Sequence, residues 1–271
     1  MQQGSHKTFN LAVQKVKLNA FIQGEGEAIL CLSGFGCDHY NYLELMPHLS
    51  KSFKMVMLDN RGMGLSEHTH QNYTIKDLAL DALEVMHVAG FKRFHVIGIS
   101  MGGFIAQVLN EVSPKSILSL TLMCTTGTDK DFSSIPILDN QKLEKFYHDK
   151  PLESIPLAVA FTTHLETDQS RIAKIITTRL KHHEKLDQVL LQRDAVALFF
   201  KNQVIDYNKF KMPCLILTGK DDRFVNPINS EILAKKISGS KLVKIDKTDH
   251  FFFMEKPCVV ASHINLFLKE L

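Results

Sequence analysis

The chain has 271 residues, with 32 Lys and Arg against 29 Asp and Glu for a formal charge of +3. A hydrophobic content of 45%, with only 14 Gly and 8 Pro, excludes a disordered, collagen-like or disulfide-scaffold chain and leaves room for a sizeable core. The positive charge is scattered, and its densest stretch, Arg171 to Lys185, is interrupted by apolar residues and Glu184, so no nucleic-acid footprint is present.

In chain order, Gly24-x-Gly26 forms a turn before the first clear apolar run, Ala28–Leu32, and a second run follows at Phe53–Leu58. Ile75, Leu78, Ala79, Ala82, Leu83 and Met86 then recur at spacings of three and four, which predicts a helix. Phe94–Ile99 is a third strand-like run, followed by a helix-compatible segment from Met101 to Val112 that stops before Pro114, and Leu118–Cys124 is the next run. Runs this short and continuous read as strands buried on both faces. Alternating with helices, they imply a parallel, doubly wound sheet. After Gly127 the pattern breaks for about 80 residues rich in Lys, His and Leu, with helical periodicity and no strand run. It resumes at Cys214–Thr218 and Leu242–Ile245 and closes with a helix facing inward through Val260, Ile264, Phe267, Leu268 and Leu271. The expected organisation is an α/β core made of residues 1–127 and 209–271, with a helical cap at 128–208.

Gly98-Ile99-Ser100-Met101-Gly102 fits G-x-S-x-G where a strand ends and a helix begins. A turn that sharp strains the serine and needs flanking residues without side chains, leaving Ser100 Oγ exposed at the sheet's carboxyl edge. A serine nucleophile requires a base, and the base an orienting acid. Both follow in order at later strand ends: Gly219-Lys220-Asp221-Asp222 after Cys214–Thr218, and Asp249-His250 after Leu242–Ile245.

With these residues in view, the chain resembles the α/β-hydrolase superfamily over nearly its whole length. Leu32-Ser33-Gly34-Phe35-Gly36 is similar to the family's oxyanion loop, and Asp59-Asn60-Arg61-Gly62-Met63-Gly64-Leu65-Ser66 to its D-x-R-G-x-G-x-S turn. The resemblance implies an α/β-hydrolase fold: a mostly parallel eight-stranded sheet flanked by helices, with the cap after the sixth strand. It also implies Ser100, Asp222 and His250 as the triad, with the backbone N–H groups of Phe35 and Met101 as the oxyanion hole. Asp222 takes the acid position and Asp221 becomes a loop residue, with Asp129 or Asp131 as the alternative acids. Ser33 stands where many relatives carry His, and Asp249, where most carry Gly, adds a carboxylate beside the base.

The nearest appearance is to carboxylesterases and 3-oxoadipate enol-lactonase-like hydrolases. A serine hydrolase of esters or lactones of small carboxylic acids is expected, needing no cofactor and no metal. An acyltransferase, thioesterase, perhydrolase or carbon–carbon bond hydrolase on the same triad, or a ligand receptor on the same fold, stands as the alternative. Phe104, Phe199, Phe200 and Phe251 are candidates for a substrate pocket, equally readable as cap–core packing. Arg61 reads as a structural loop residue. His182-His183-Glu184 reads as a solvated helix face, because adjacent histidines on a helix diverge. Cys31, Cys37, Cys124, Cys214 and Cys258 form no CxxC pair and read as reduced core thiols. With no signal-like or membrane-spanning stretch, a cytoplasmic monomer or homodimer with a small-molecule partner, and neither nucleic acid nor membrane, is expected.

Overall fold

The computed structural model describes residues 4–12, 15–136, 139–147 and 169–271. Eight strands form one sheet: β1 Ser5–Leu11, β2 Val16–Gln23, β3 Glu27–Leu32, β4 Phe53–Leu58, β5 Phe94–Ile99, β6 Ile117–Met123, β7 Cys214–Gly219 and β8 Lys241–Ile245, in the order β1-β2-β4-β3-β5-β6-β7-β8. β3 to β8 run parallel, whereas β2 is antiparallel to both β1 and β4. The helices are α1 Met46–Leu49, α2 Ile75–Val88, α3 Met101–Val112, α4 Asn140–Phe146, α5 Gln169–Lys181, α6 Leu186–Asn202, α7 Ile228–Lys236, α8 Phe252–Glu255 and α9 Pro257–Lys269.

Both faces of the sheet are covered, which is why its central strands read as short runs dominated by apolar residues. Along β3, Ala28, Leu30 and Leu32 point into the layer holding α2 and α3, while Ile29 and Cys31 point into the layer holding α9. Helix α2 begins at a capping box in which the Thr74 side chain accepts from Asp77 N–H and the Asp77 carboxylate accepts from Thr74 N–H.

β1 and β2 escape the apolar-run signal. β1 is an edge strand, exposed at every position except Phe9 and Leu11, and β2 mixes Lys17, Asn19 and Gln23 with its apolar residues. Arg61 is structural, donating through Nε and Nη2 to the Asp81 carboxylate at 2.8 and 2.7 Å. Four of the five cysteines are buried, but Cys258 is exposed: it opens α9 beside Pro257, on a turn whose outer side meets solvent. Between β6 and β7 the described residues form α4, α5 and α6; the rest of the expected 128–208 insertion (137–138 and 148–168) lies outside the described residues. No helix among the described residues is long and apolar enough to cross a membrane.

The strand order reverses at β3: the chain leaves it toward β4 on one side and returns as β5 on the other. The loops after β3 and β5 therefore diverge and open a crevice at the carboxyl edge of the sheet. That crevice holds the sequence's candidate residues.

Candidate active site

Ser100 caps α3 with φ 53° and ψ −114°, outside the regions a serine ordinarily occupies. Such a conformation costs roughly 1–3 kcal/mol and persists only where its surroundings enforce it. Here the Ser100 N–H donates to Met123 O at 2.8 Å, and its carbonyl accepts from Gly103 N–H and Thr125 Oγ1, both at 2.8 Å. Two glycines make the turn possible by close approach. A Cβ on Gly98 would lie 2.4 Å from Gly102 O, and one on Gly102 would lie 2.0 Å from Leu32 O.

Asp222 and His250, the candidate acid and base, meet as the order of strand ends implies. His250 Nδ1 is 2.9 Å from Asp222 Oδ2, and the other carboxylate oxygen, Oδ1, accepts from Phe224 N–H at 2.9 Å and Val225 N–H at 2.8 Å. Asp221 is exposed. Asp129 and Asp131 are engaged by Lys236 at 3.0 and 2.7 Å, away from the histidine. Asp249 is fully buried. It accepts from the His250 N–H at 2.7 Å and from Arg223 at N and Nε, 3.0 and 2.7 Å. Ser33, in the place of a histidine, steadies its loop by donating to Asp38 O at 2.7 Å.

In that loop the Gly34 N–H donates to Asn41 Oδ1 at 3.0 Å and the Gly36 N–H to Gln192 Oε1 at 2.6 Å. Between them, the Phe35 N–H has no acceptor among the described residues, nor has the Met101 N–H at the start of α3. Ser100 and His250 line one cavity of about 60 Å³ together with Phe35, Asn41, Arg179 and Phe251. A second cavity of about 40 Å³ shares Phe35, Ser100 and Phe224 with the first and adds Met101 and Phe104. The serine thus stands between two small chambers. Phe251 and Phe104 are wall residues, one in each. Phe199 and Phe200 are one layer behind, packed on Phe104 with ring centroids 4.9 and 5.2 Å away, because α6 presents them to that ring rather than to the void.

Sequence reasoning missed Asn41, Arg179 and Gln192. Arg179 sits four residues after the buried Ile175 on α5, and a charge at that spacing on an apolar helix face was the available signal. Its guanidinium lies 5.2 Å from the Phe251 ring centroid. Asn41 and Gln192 carried no signal, being single polar residues whose burial follows from the loop's need for acceptors. The Asn41 Nδ2 is buried with no hydrogen-bond partner among the described residues.

The expected helix face at His182-His183-Glu184 is corrected. α5 stops at Lys181, so these residues lie in the link to α6 and fold against the core. His182 Nδ1 is 2.7 Å from Asp38 Oδ2, and the buried Glu184 carboxylate accepts from Gly64 N–H. Burial and the neighbouring Asp38 and Asp59 push the Glu184 carboxyl up to about 8.

Residues 27–257, most of the chain, match the family model described as the alpha/beta hydrolase fold. The chain belongs to the α/β-hydrolase fold family. Among curated relatives of this hydrolase-fold chain, monoacylglycerol lipase ABHD6 of Bos taurus is 26% identical over 270 residues, covering 90% of this chain and 76% of that protein. The 2-hydroxy-6-oxononadienedioate/2-hydroxy-6-oxononatrienedioate hydrolase of Paraburkholderia phymatum is 29% identical over 219 residues, covering 74% and 73%. Of solved structures, the enol-lactonase from Burkholderia xenovorans LB400 superposes with a TM-score of 0.82 at 21% identity, covering 97% of this chain and 100% of that one. A thermophilic esterase from Thermogutta terrifontis gives 0.79 at 20% identity, covering 99% of both. The two structures share the fold; the two sequence relatives support hydrolase activity.

Proposed function

We propose that this chain is a serine hydrolase that cleaves esters or lactones of small carboxylic acids through an acyl-enzyme. The observation that carries the reading is the strained Ser100 sharing one cavity with an imidazole whose Nδ1 is held by the buried Asp222. In this reading His250 takes the Ser100 proton as Oγ attacks the carbonyl, and Asp222 keeps the proton of the resting imidazole on Nδ1, so Nε2 is the base. The N–H groups of Phe35 and Met101 receive the oxyanion, and the commitment of the Gly34 and Gly36 amides to side-chain acceptors holds the Phe35 peptide in place. His250 then returns its proton to the departing alcohol, and water attacks the acyl-enzyme by the reverse sequence.

Two chambers of about 60 and 40 Å³ favour a short acyl group and a short alcohol, or a lactone spanning both. Arg179 places a permanent positive charge in the wall of the larger chamber, which favours a substrate carrying a second, free carboxylate. The named hydrolase of an oxo-dienedioate acts on a dicarboxylate, which fits that preference. The test is a panel of neutral short esters, half-esters of dicarboxylic acids, small lactones and monoacylglycerols, run on wild type and Ser100→Ala. Activated phosphonate should label Ser100 stoichiometrically, and Ser100→Ala should lose turnover on the order of 10⁴-fold or more. Labelling elsewhere overturns the mechanism, and a preference for monoacylglycerols overturns the small-acid substrate. Product analysis with added alcohol separates hydrolysis from acyl transfer.

A further inference from the structure

Where the cap link 182–185 folds onto the core, a polar cavity of about 240 Å³ is lined by His6, Asp38, His39, His182, His183 and Glu184, with Gly64, Leu65 and Lys181 at its margin. It shares no residue with the two chambers at Ser100. Four chain segments meet here: β1, the loop after β3, the loop after β4, and the cap link with the end of α5.

Two features make this more than a polar seam. The donor atoms of Asp38, His39 and His182 all lie within 4.8 Å of one another. Ligands of a tetrahedral ion with bonds of about 2.0 Å stand about 3.3 Å apart, so side-chain movement of roughly 1 Å would close the set. The second feature is orientation. Asp59 accepts from the His39 backbone N–H and contacts His39 Nδ1, both at 2.8 Å, and Asp59 is itself fixed by Asn19 and Leu65. A carboxylate on one imidazole nitrogen sets the tautomer and leaves the other nitrogen's lone pair available, which is how metal-ligating histidines are held. The His39 and His182 rings stand edge to face 5.4 Å apart, and His6 is 5.0 Å from His39.

Charge points the same way. Asp38 and Asp59 are buried, and among the described residues their side-chain cationic partners are the imidazoles of His39 and His182, with neither Lys nor Arg beside them. Buried carboxylates are ordinarily matched by a cation.

We propose that Asp38, His39 and His182 form a binding site for a divalent transition-metal ion that ties the cap link to the loop after β3. Two imidazoles and one carboxylate select a borderline ion such as Zn²⁺, and the remaining positions face the cavity, where water or His183 completes the shell. Calcium and magnesium, which prefer oxygen donors alone, are poor occupants. The ion does no chemistry on substrate. Asp38 is three residues from Phe35, so the ion clamps the far end of the loop that carries one oxyanion donor.

The test is calorimetric titration of Zn²⁺ into the chelator-treated full chain. One equivalent should bind with a Kd of about 1 μM or tighter, and Co²⁺ in its place should give the visible absorption of a four-coordinate N/O site. His182→Ala should weaken binding by about tenfold or more, and His182→Cys, which restores a zinc ligand, should recover it. His70→Ala, an exposed histidine outside the cavity, should bind as wild type does. Because a structural role for His182 would not be rescued by a thiolate, the alanine and cysteine variants separate coordination from folding. Absence of saturable binding up to about 100 μM Zn²⁺ in wild type, or equal affinity in a cooperatively melting His182→Ala, overturns the site.

Discussion

Replacing Asp222 by Asn changes one atom, and the structure dictates where that atom goes. Oδ1 accepts two backbone N–H groups, from Phe224 and Val225, at 2.9 and 2.8 Å. Turning the new NH₂ toward them would set donor against donor twice and cost roughly 2–6 kcal/mol, so the amide carbonyl keeps that position. The NH₂ is then left facing His250 Nδ1, where the carboxylate oxygen lies at 2.9 Å in wild type. An NH₂ there can be accepted only by an Nδ1 with a free lone pair, which moves the imidazole proton to Nε2 and removes the base from Ser100. The expected loss in kcat/KM is on the order of 10⁴-fold, about 5 kcal/mol of transition-state stabilisation, with little change in melting temperature because both amide contacts are satisfied. Initial rates on 4-nitrophenyl acetate for wild type, Asp222→Asn and Asp221→Asn check it. Asp222→Asn activity within tenfold of wild type, or a larger loss in Asp221→Asn, refutes the tautomer argument and the assignment with it.

Arg179→Met should lower kcat/KM for half-esters bearing a free carboxylate by about 10- to 100-fold and leave neutral esters of the same length nearly unchanged; equal losses on both would remove the charge from substrate recognition. Phe199→Ala deletes a ring stacked on Phe104 and 3% exposed, so it should cost about 3–5 kcal/mol in urea unfolding while the acyl-chain profile stays put. Phe104→Ala, which opens the chamber wall itself, should move the profile to longer chains. His95 is buried against Ser119, and burial lowers its pKa in the fold although Glu27 opposes the shift. The unfolded chain therefore binds more protons as pH falls below about 6.5, and stability drops with acidification. His95→Gln should flatten that dependence between about pH 7.5 and 5.5, as read from urea midpoints; an unchanged slope would place the titration elsewhere.

Most of what positions Ser100 was legible because each cue is local and obligatory. G-x-S-x-G announces close backbone approach, and β3 to β7 announce burial on both faces by short runs dominated by apolar residues. β1 and β2 were illegible for the complementary reason: an edge strand facing water on one side needs few apolar residues, and its partner's polar positions are satisfied by contacts far along the chain, as Asn19 Nδ2 is by Asp59 Oδ2 at 2.9 Å. His182 and Glu184 were misread because a helix was carried through them. Nothing local marks the stop at Lys181, and the burial of Glu184 depends on Gly64, 120 residues away. Arg179 was counted among scattered charges, since its place in a cavity depends on how the cap lies over the sheet. The order of strand ends, by contrast, was enough to bring Asp221, Asp222 and His250 to the edge that carries Ser100, and the family resemblance singled out Asp222.

Gln192 reaches from the cap helix α6 to the peptide of Gly36, next door to Phe35. Any outward displacement of α6 would therefore stretch the contact that fixes the peptide beside Phe35. On the proposed mechanism, a molecule with α6 displaced would keep Ser100 in place but lose the alignment of the Phe35 N–H. A bulky ester that props α6 outward would be bound and left intact, behaving as a competitive inhibitor rather than as a slow substrate.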